Sequence, residues 1–246
     1  MKLYFAVVMC LCFSLCLAQD KTVYLASLEW PPYTGSALPH EGASVAVVRS
    51  MYKSMGYKVV VDYMPWSDAV RKGMDASSKY SGYFPVYRSK QRDGACAYSE
   101  PIGFSALGFA YHQDAYFPVT SLDDLSKVAP IGVVTDYANH DSFDARVELG
   151  EILVTQSATD TDNLKKLAQR KLPMVVIDRH VMHHLLKNDA ELKPYSKQLR
   201  FHEWLLDEKR LYVCFKSTEM AGHHLNQLNK GEEKVNMRRF FKESLR

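Results

Sequence analysis

The sequence predicts an α/β protein in two halves, each a mainly parallel sheet flanked by helices. Three observations lead there. Short apolar runs alternate with segments of helical periodicity along the chain, and strands spaced by helices favour parallel pairing. The alternation then repeats with different edges, with no low-complexity tract, charge block or flexible linker between the halves. The chain has 246 residues, 47% of them hydrophobic, enough for one large domain or two small ones and unlike a disordered or fibrous chain.

Taken in order, Thr22-Val-Tyr-Leu-Ala-Ser-Leu28 is a buried-strand run that Pro31-Pro32 stops. Val48, Met51, Tyr52 and Met55 recur at i, i+3, i+4 and i+7, one face of a helix that Gly56 ends. Lys58–Tyr63 is the next strand, Ser67 is placed to cap a helix through Met74, and Gly82–Tyr87 returns as a strand. Phe104–His112 is extended, and Ser121-Leu-Asp-Asp124 makes a capping-box-like start ahead of the strand Ala129–Val134. Helical residues near Phe143–Leu149 precede a strand over Glu151–Thr155 and a helix capped by Asp160 or Thr161 that runs to Gln169. Pro173–Ile177 is a strong strand, Asp178 opens a helix to Leu186, Arg210–Phe215 is the last strand, and helices run on to Arg246.

Lys and Arg number 31 against 28 Asp and Glu, a net +3 spread along the chain. Such a protein has no global electrostatic footprint for nucleic acid or a membrane surface, so neither is an expected partner. No Gly-x-Ser-x-Gly elbow, P-loop or dinucleotide-binding turn is present, which leaves the common hydrolase, kinase and dehydrogenase readings unsupported. His180, His183 and His184 share a helix face and His223-His224 form a second cluster. No Glu stands between them as in a zinc hydrolase and no cysteine pair is near, so they read as exposed histidines; no metal or cofactor is expected.

Met1-Lys2 is a short positive segment, Leu3–Leu17 is apolar apart from Ser14, and Cys16-Leu17-Ala18 places small residues at a cleavage site. This is the pattern of a secretory signal peptide over residues 1–18, cut after Ala18 and too short to span a bilayer, which needs about 20 residues. Leu15 occupies the position before Cys16 where lipid attachment wants a small residue, so a free exported protein is expected. Cys96 and Cys214 stay in the mature chain; they form a disulfide or are two separately buried apolar side chains.

Several motifs carry a resemblance when read together. They are Glu29-Trp-Pro-Pro-Tyr33, Met64-Pro-Trp66, Tyr87-Arg-Ser-Lys-Gln-Arg92, Tyr98-Ser-Glu-Pro101, Ser121-Leu-Asp-Asp-Leu125, Ile131-Gly-Val133 and the strand end Val-Val-Ile-Asp178. In order and spacing the chain resembles the family 3 extracellular solute-binding proteins of polar amino acid uptake systems. The resemblance implies a two-lobed periplasmic-binding-protein fold (type II). Lobe one would be residues 19–105 plus 214–246 and lobe two 106–213, joined by two crossing strands near Phe104–Ala110 and Leu211–Cys214. It implies a periplasmic, monomeric binding protein that closes on a small polar or carboxylate-bearing ligand. An ABC permease or a membrane sensor would receive it.

By the same resemblance Arg92 would hold the ligand carboxylate, for which a guanidinium fork supplies two parallel hydrogen bonds. Asp178 would take the ligand ammonium, cap the following helix, or both. Trp30 and Trp66, with Tyr33 beside them, would sandwich the ligand side chain, and Ser89 would add a hydroxyl. Three places depart from the family, one of them Ser81-Gly82, which stands where an aspartate usually precedes the strand before the arginine motif. Tyr87 stands where a small hydroxyl residue touches the carboxylate, and Thr135-Asp136-Tyr137 replaces the usual Gly-Thr, so Tyr87, Thr135 and Tyr137 enter the expected site with an altered ligand. Two other readings stand beside this one: the ligand-sensing partner of a membrane receptor, and a dehydratase-like enzyme on the same fold using Glu29, Asp136 and Asp178.

Overall fold

The computed structural model describes residues 21–90 and 92–245. The expected signal peptide therefore lies outside the described residues. Nine strands form one curled sheet in the order β2-β1-β3-β9-β5-β8-β6-β7, with the short β4 (Ala97–Tyr98) pairing with β9. One half holds β1 (Thr22–Ser27) between β2 (Lys58–Tyr63) and β3 (Gly82–Val86), all parallel. The other holds β6 (Ile131–Val134) between β7 (Val154–Ser157) and β8 (Met174–Asp178), again parallel. The strands β3 and β8 are buried along their whole length, as expected of strands covered on both faces.

Two antiparallel strands connect the halves. β5 (Gly103–His112) pairs with β8, while β9 (Leu199–Phe215) pairs with β5 from Leu199 to Leu211 and with β3 beyond. The sequence places crossing strands at 104–110 and 211–214; the ribbon is longer, and its Leu199–Lys209 stretch is a strand that sequence reading leaves out. Its side chains alternate between buried and exposed, so charged residues interrupt the apolar run that marks a fully buried strand. Gly82 lets β3 approach β9, because a Cβ there would collide with the Cys214 carbonyl.

Helices α1 (Ala43–Ser54), α2 (Trp66–Met74), α6 (Glu219–Glu232) and α7 (Met237–Ser244) flank the first half, and α3 (Asp141–Glu148), α4 (Asp160–Ala168) and α5 (Arg179–Asn188) flank the second. Three helix starts differ from expectation, and the strand expected over Glu151–Thr155 lies at Val154–Ser157. The cap of α4 is Thr159, whose hydroxyl accepts from the Asp162 amide, so Asp160 and Thr161 sit inside the first turn. Pro65 rather than Ser67 precedes α2, and Ser121–Asp124 begins a 3-10 turn over Leu122–Lys127 instead of an α-helix. Cys96 and Cys214 are joined by a disulfide that ties β4 to β9. Among the described residues no helix is long and apolar enough to cross a membrane.

Candidate functional site

The two halves face each other at strand ends, where the segments after β1, β2 and β3 bring Trp30, Trp66 and Arg92 and the ends of β6, β7 and β8 bring Asp136, Asp160 and Asp178. A cavity of about 30 Å³ lies between them, lined among others by Trp30, Trp66, Pro85, Tyr87, Arg92 and Tyr137. Deeper in, a space of about 10 Å³ is bounded by Trp30, Tyr87, Tyr137, Asn139, Asp160 and Asp178. One water needs roughly 10–15 Å³, so the pair holds only a few waters and the halves are closed on each other.

Arg92 comes from a tight turn after β3. Its amide donates to the Ser89 carbonyl, and its own carbonyl accepts from the Ala95 and Cys96 amides. The disulfide of Cys96 then anchors that turn to β9. Of the basic run, Arg88 is engaged by Asp93 at 3.4 Å, whereas Arg92 has no carboxylate within ion-pair distance among the described residues. The Arg92 guanidinium lies 5.8 Å from the Trp66 ring centroid, at the cavity wall. A cation facing an apolar, aromatic-walled cavity without a counter-ion is equipped to receive an anion.

Contacts across the interface hold the closure. Trp30 donates its indole N–H to Asp160 at 3.2 Å, and Trp66 donates to the Asp136 carbonyl at 3.2 Å from a turn in which Asp136 has φ +62°. Tyr33, fully buried, donates its hydroxyl to both oxygens of Asp178 at 3.0 Å. Asp178 also accepts from the Ser105 hydroxyl at 2.6 Å and from the His180 and Val181 amides at 2.7 and 2.9 Å, capping α5. Tyr87 reaches the same network through Ser105 at 2.6 Å.

The acids of this interior hold their protons tightly. Burial pushes Asp160 up to about 7, opposed by the Trp30 hydrogen bond and helped by the nearby Asp178 charge. Burial likewise raises Asp178, against the stabilising donors from Ser105 and Val181. Burial lifts the Tyr33, Tyr87 and Tyr137 phenols as well, so all three stay neutral at any ordinary pH.

Of the residues singled out in the sequence, Arg92, Trp30, Trp66, Tyr87 and Tyr137 share the larger cavity, and Asp178 borders the smaller one. Tyr33 lies beneath, bonded to Asp178. Ser89 is buried with a hydroxyl that has no hydrogen-bond partner among the described residues, and it lines neither space. Thr135 is exposed and donates to the Ser157 carbonyl at 3.2 Å, outside both. Glu29 and Asp136, the other acids of the enzyme reading, are also exposed; Glu29 is taken by Ser36 at 2.6 Å. Asp160 and Asn139 are cavity residues that sequence reasoning missed, and so is Ser105, which lines neither space but bonds both Asp178 and Tyr87. Thr159 beside Asp160 takes the cap, and no local signal shows that the Asp160 carboxylate faces inward. The second histidine cluster is absorbed into packing, His223 on Tyr57 at 2.7 Å and His224 on Ser81 at 2.6 Å.

This arrangement, two open α/β halves joined by a crossing ribbon and facing each other at strand ends, is the fold of the periplasmic binding proteins. A histidine kinase sensor domain with similarity to periplasmic binding proteins aligns with a TM-score of 0.75 at 16% identity, over 91% of this chain and 95% of its own. An ancestral arginine-binding protein bound to arginine aligns at 0.70 and 14%, over 91% and 96%. An ancestral amino acid-binding protein, a precursor of cyclohexadienyl dehydratase, aligns at 0.68 and 13%, over 92% and 96%. No family model matches the chain. No curated protein matches it either.

Proposed function

We propose that this chain is a solute-binding protein that captures a small polar, carboxylate-bearing solute, an amino acid or a related acid, between two lobes and closes on it. The lobes are residues 19–105 plus 214–246 and 106–213, with β5 and β9 as the hinge. The observation that carries the reading is Arg92, a guanidinium without a carboxylate partner among the described residues, set against Trp66 in the cavity wall. Its neighbours in fold support it: one was solved with arginine bound and another is a kinase sensor domain. Ligand pockets run to about 300–1,000 Å³, so entry requires the Trp30–Asp160, Tyr33–Asp178 and Trp66–Asp136 contacts to part by hinge opening. The chain is exported to the periplasm by cleavage after Ala18 and acts as a monomer, handing its solute to an ABC permease or reporting it to a membrane sensor.

The test is a thermal-shift screen of amino acids, dicarboxylates and amines, followed by calorimetry on Arg92→Ala. Ligand at 100 times its Kd stabilises by about 2.7 kcal/mol, a shift of several degrees. Arg92→Ala is expected to cost about 2–5 kcal/mol of binding and to leave the melting temperature of the free protein unchanged. Unaltered affinity removes Arg92 from the site.

A second reading has its own observation. Asp160, pushed up to about 7 and facing Asp178 in a closed interior, has the protonation behaviour of a general acid. A neighbour that is a precursor of cyclohexadienyl dehydratase adds to it. Product formation from a prephenate-like acid decides, because a binding protein returns its ligand unchanged.

A further inference from the structure

Between the crossing ribbon and α7 lies a groove of about 840 Å³. Phe104, Phe241 and Leu245 give it an apolar floor, and Arg210, Arg238 and Lys242 stand around it. The β5–β9 register explains the placement. Phe104 pairs with Arg210 and Ala106 with Glu208, so these four share one face of the ribbon. Arg238 and Lys242 lie one turn apart on α7, and Arg238 is already stacked over Phe104 at 5.1 Å. None of Arg210, Arg238 and Lys242 has a carboxylate within ion-pair distance among the described residues; Lys209, also at the rim, is held by Asp207 at 2.8 Å. Glu208 is the single acid among the lining residues, and His180 closes the end nearest α5.

We propose that this groove is a second binding site, for a free organic dianion such as a phosphomonoester carried on an apolar body. Three cations without a carboxylate partner among the described residues supply charge complementarity, and the guanidinium forks of Arg210 and Arg238 suit phosphate or carboxylate oxygens. The Phe104–Phe241 floor, rings 6.2 Å apart at 79°, takes the apolar part. The volume lies within the range of small-molecule sites. The groove also adjoins the cleft network: its lining residue Ser105 bonds Asp178 at 2.6 Å, and Phe241 stacks on Tyr33 at 5.9 Å.

The probe is 1-naphthyl phosphate, titrated by calorimetry into the full mature chain, with inorganic phosphate as comparison. Naphthyl phosphate is expected to bind at least about tenfold more tightly than inorganic phosphate, because only the former uses the apolar floor. The pair Arg238→Glu with Lys242→Glu should weaken it by about tenfold or more, and Glu208→Gln should strengthen it a few-fold. The pair Lys53→Glu with Lys58→Glu, an equal charge change on exposed lysines elsewhere, and Arg92→Ala in the cleft should each leave it unchanged. Arg210→Gln, a milder change, gives a partial loss and guards against misfolding of the double reversal. Equal affinity for inorganic phosphate, retention by the Arg238/Lys242 pair, or loss in Arg92→Ala overturns the proposal. So does co-sedimentation with phosphatidic acid vesicles without binding of the free probe, which would assign the patch to a lipid surface.

Discussion

Replacing Asp160 with Asn isolates one buried charge and gives a pH signature that can be worked from the structure. Asp160 rises from an ordinary 3.8 to about 7 because burial disfavours its ionised form. About three pKa units at 1.36 kcal/mol each amount to about 4 kcal/mol between the two protonation states. The folded pKa is raised, so the folded state binds the proton more tightly than the unfolded chain. Asp160's contribution to stability is therefore fully present below about pH 4 and is lost as pH climbs through about 7. The asparagine carbonyl still accepts from the Trp30 indole, so the swap removes the charge and keeps the bond. Urea denaturation of both proteins at intervals from pH 4 to pH 8, with slopes compared, gives the difference in stability at each pH. Asp160→Asn is expected to gain on the wild type steadily across that range, by about 4 kcal/mol in all. A difference that stays flat with pH would show that Asp160 ionises as it does in the unfolded chain, and the reasoning from burial would fall.

The other expectations are shorter. Tyr33→Phe deletes the hydroxyl shared by both Asp178 oxygens and should cost about 1–3 kcal/mol by urea denaturation, with the fold kept by circular dichroism. Cys96→Ala with Cys214→Ala opens a link spanning 118 residues and should cost about 2–5 kcal/mol, and it should also weaken ligand binding by loosening the turn that carries Arg92. For an amino acid ligand found in the screen, Asp160→Asn should weaken binding more than Asp178→Asn when both are measured by calorimetry on folded protein; the reverse order would return the ammonium contact to Asp178.

What was legible in the sequence follows from what each feature needs. Strands buried on both faces, such as Met174–Asp178, are continuous apolar runs and stand out. The ribbon strand β9 mixes Glu203, Asp207, Glu208 and Lys209 with buried Leu199 and Leu206, because it is solvated along one side, and so it hid. Arg92, Trp30 and Trp66 were found through ordered motifs and do meet in space. Asp160 was read by residue type as a helix cap; Thr159 takes that task, and nothing local shows that the carboxylate beside it turns inward. The pairing of Cys96 with Cys214 stayed open because two cysteines so far apart meet only if β4 lies against β9, a fact of topology.

The same accounting separates the two interior carboxylates. Asp178 occupies the strand end that the resemblance assigns to a ligand ammonium, yet its oxygens already receive Tyr33, Ser105, His180 and Val181. An ammonium arriving there must displace a buried donor, and the displaced group would lose its own bond in a closed interior. Among the described residues the Asp160 carboxylate receives Trp30 alone, and it borders the same space. A cation approaching it would also relieve the burial cost that lifts its pKa, so the gain from pairing is larger at Asp160 than at a carboxylate whose donors are in place. The tyrosines at positions 87 and 137 narrow the space between Arg92 and these acids. If the proposed solute is an amino acid, its carboxylate and ammonium ends would have to be bridged along that aromatic wall. On the proposed solute-binding reading, that geometry would favour a slim solute with Arg92 and Asp160 at its two ends, while Asp178, bonded to Tyr33 and to the first amides of α5, acts as a strut.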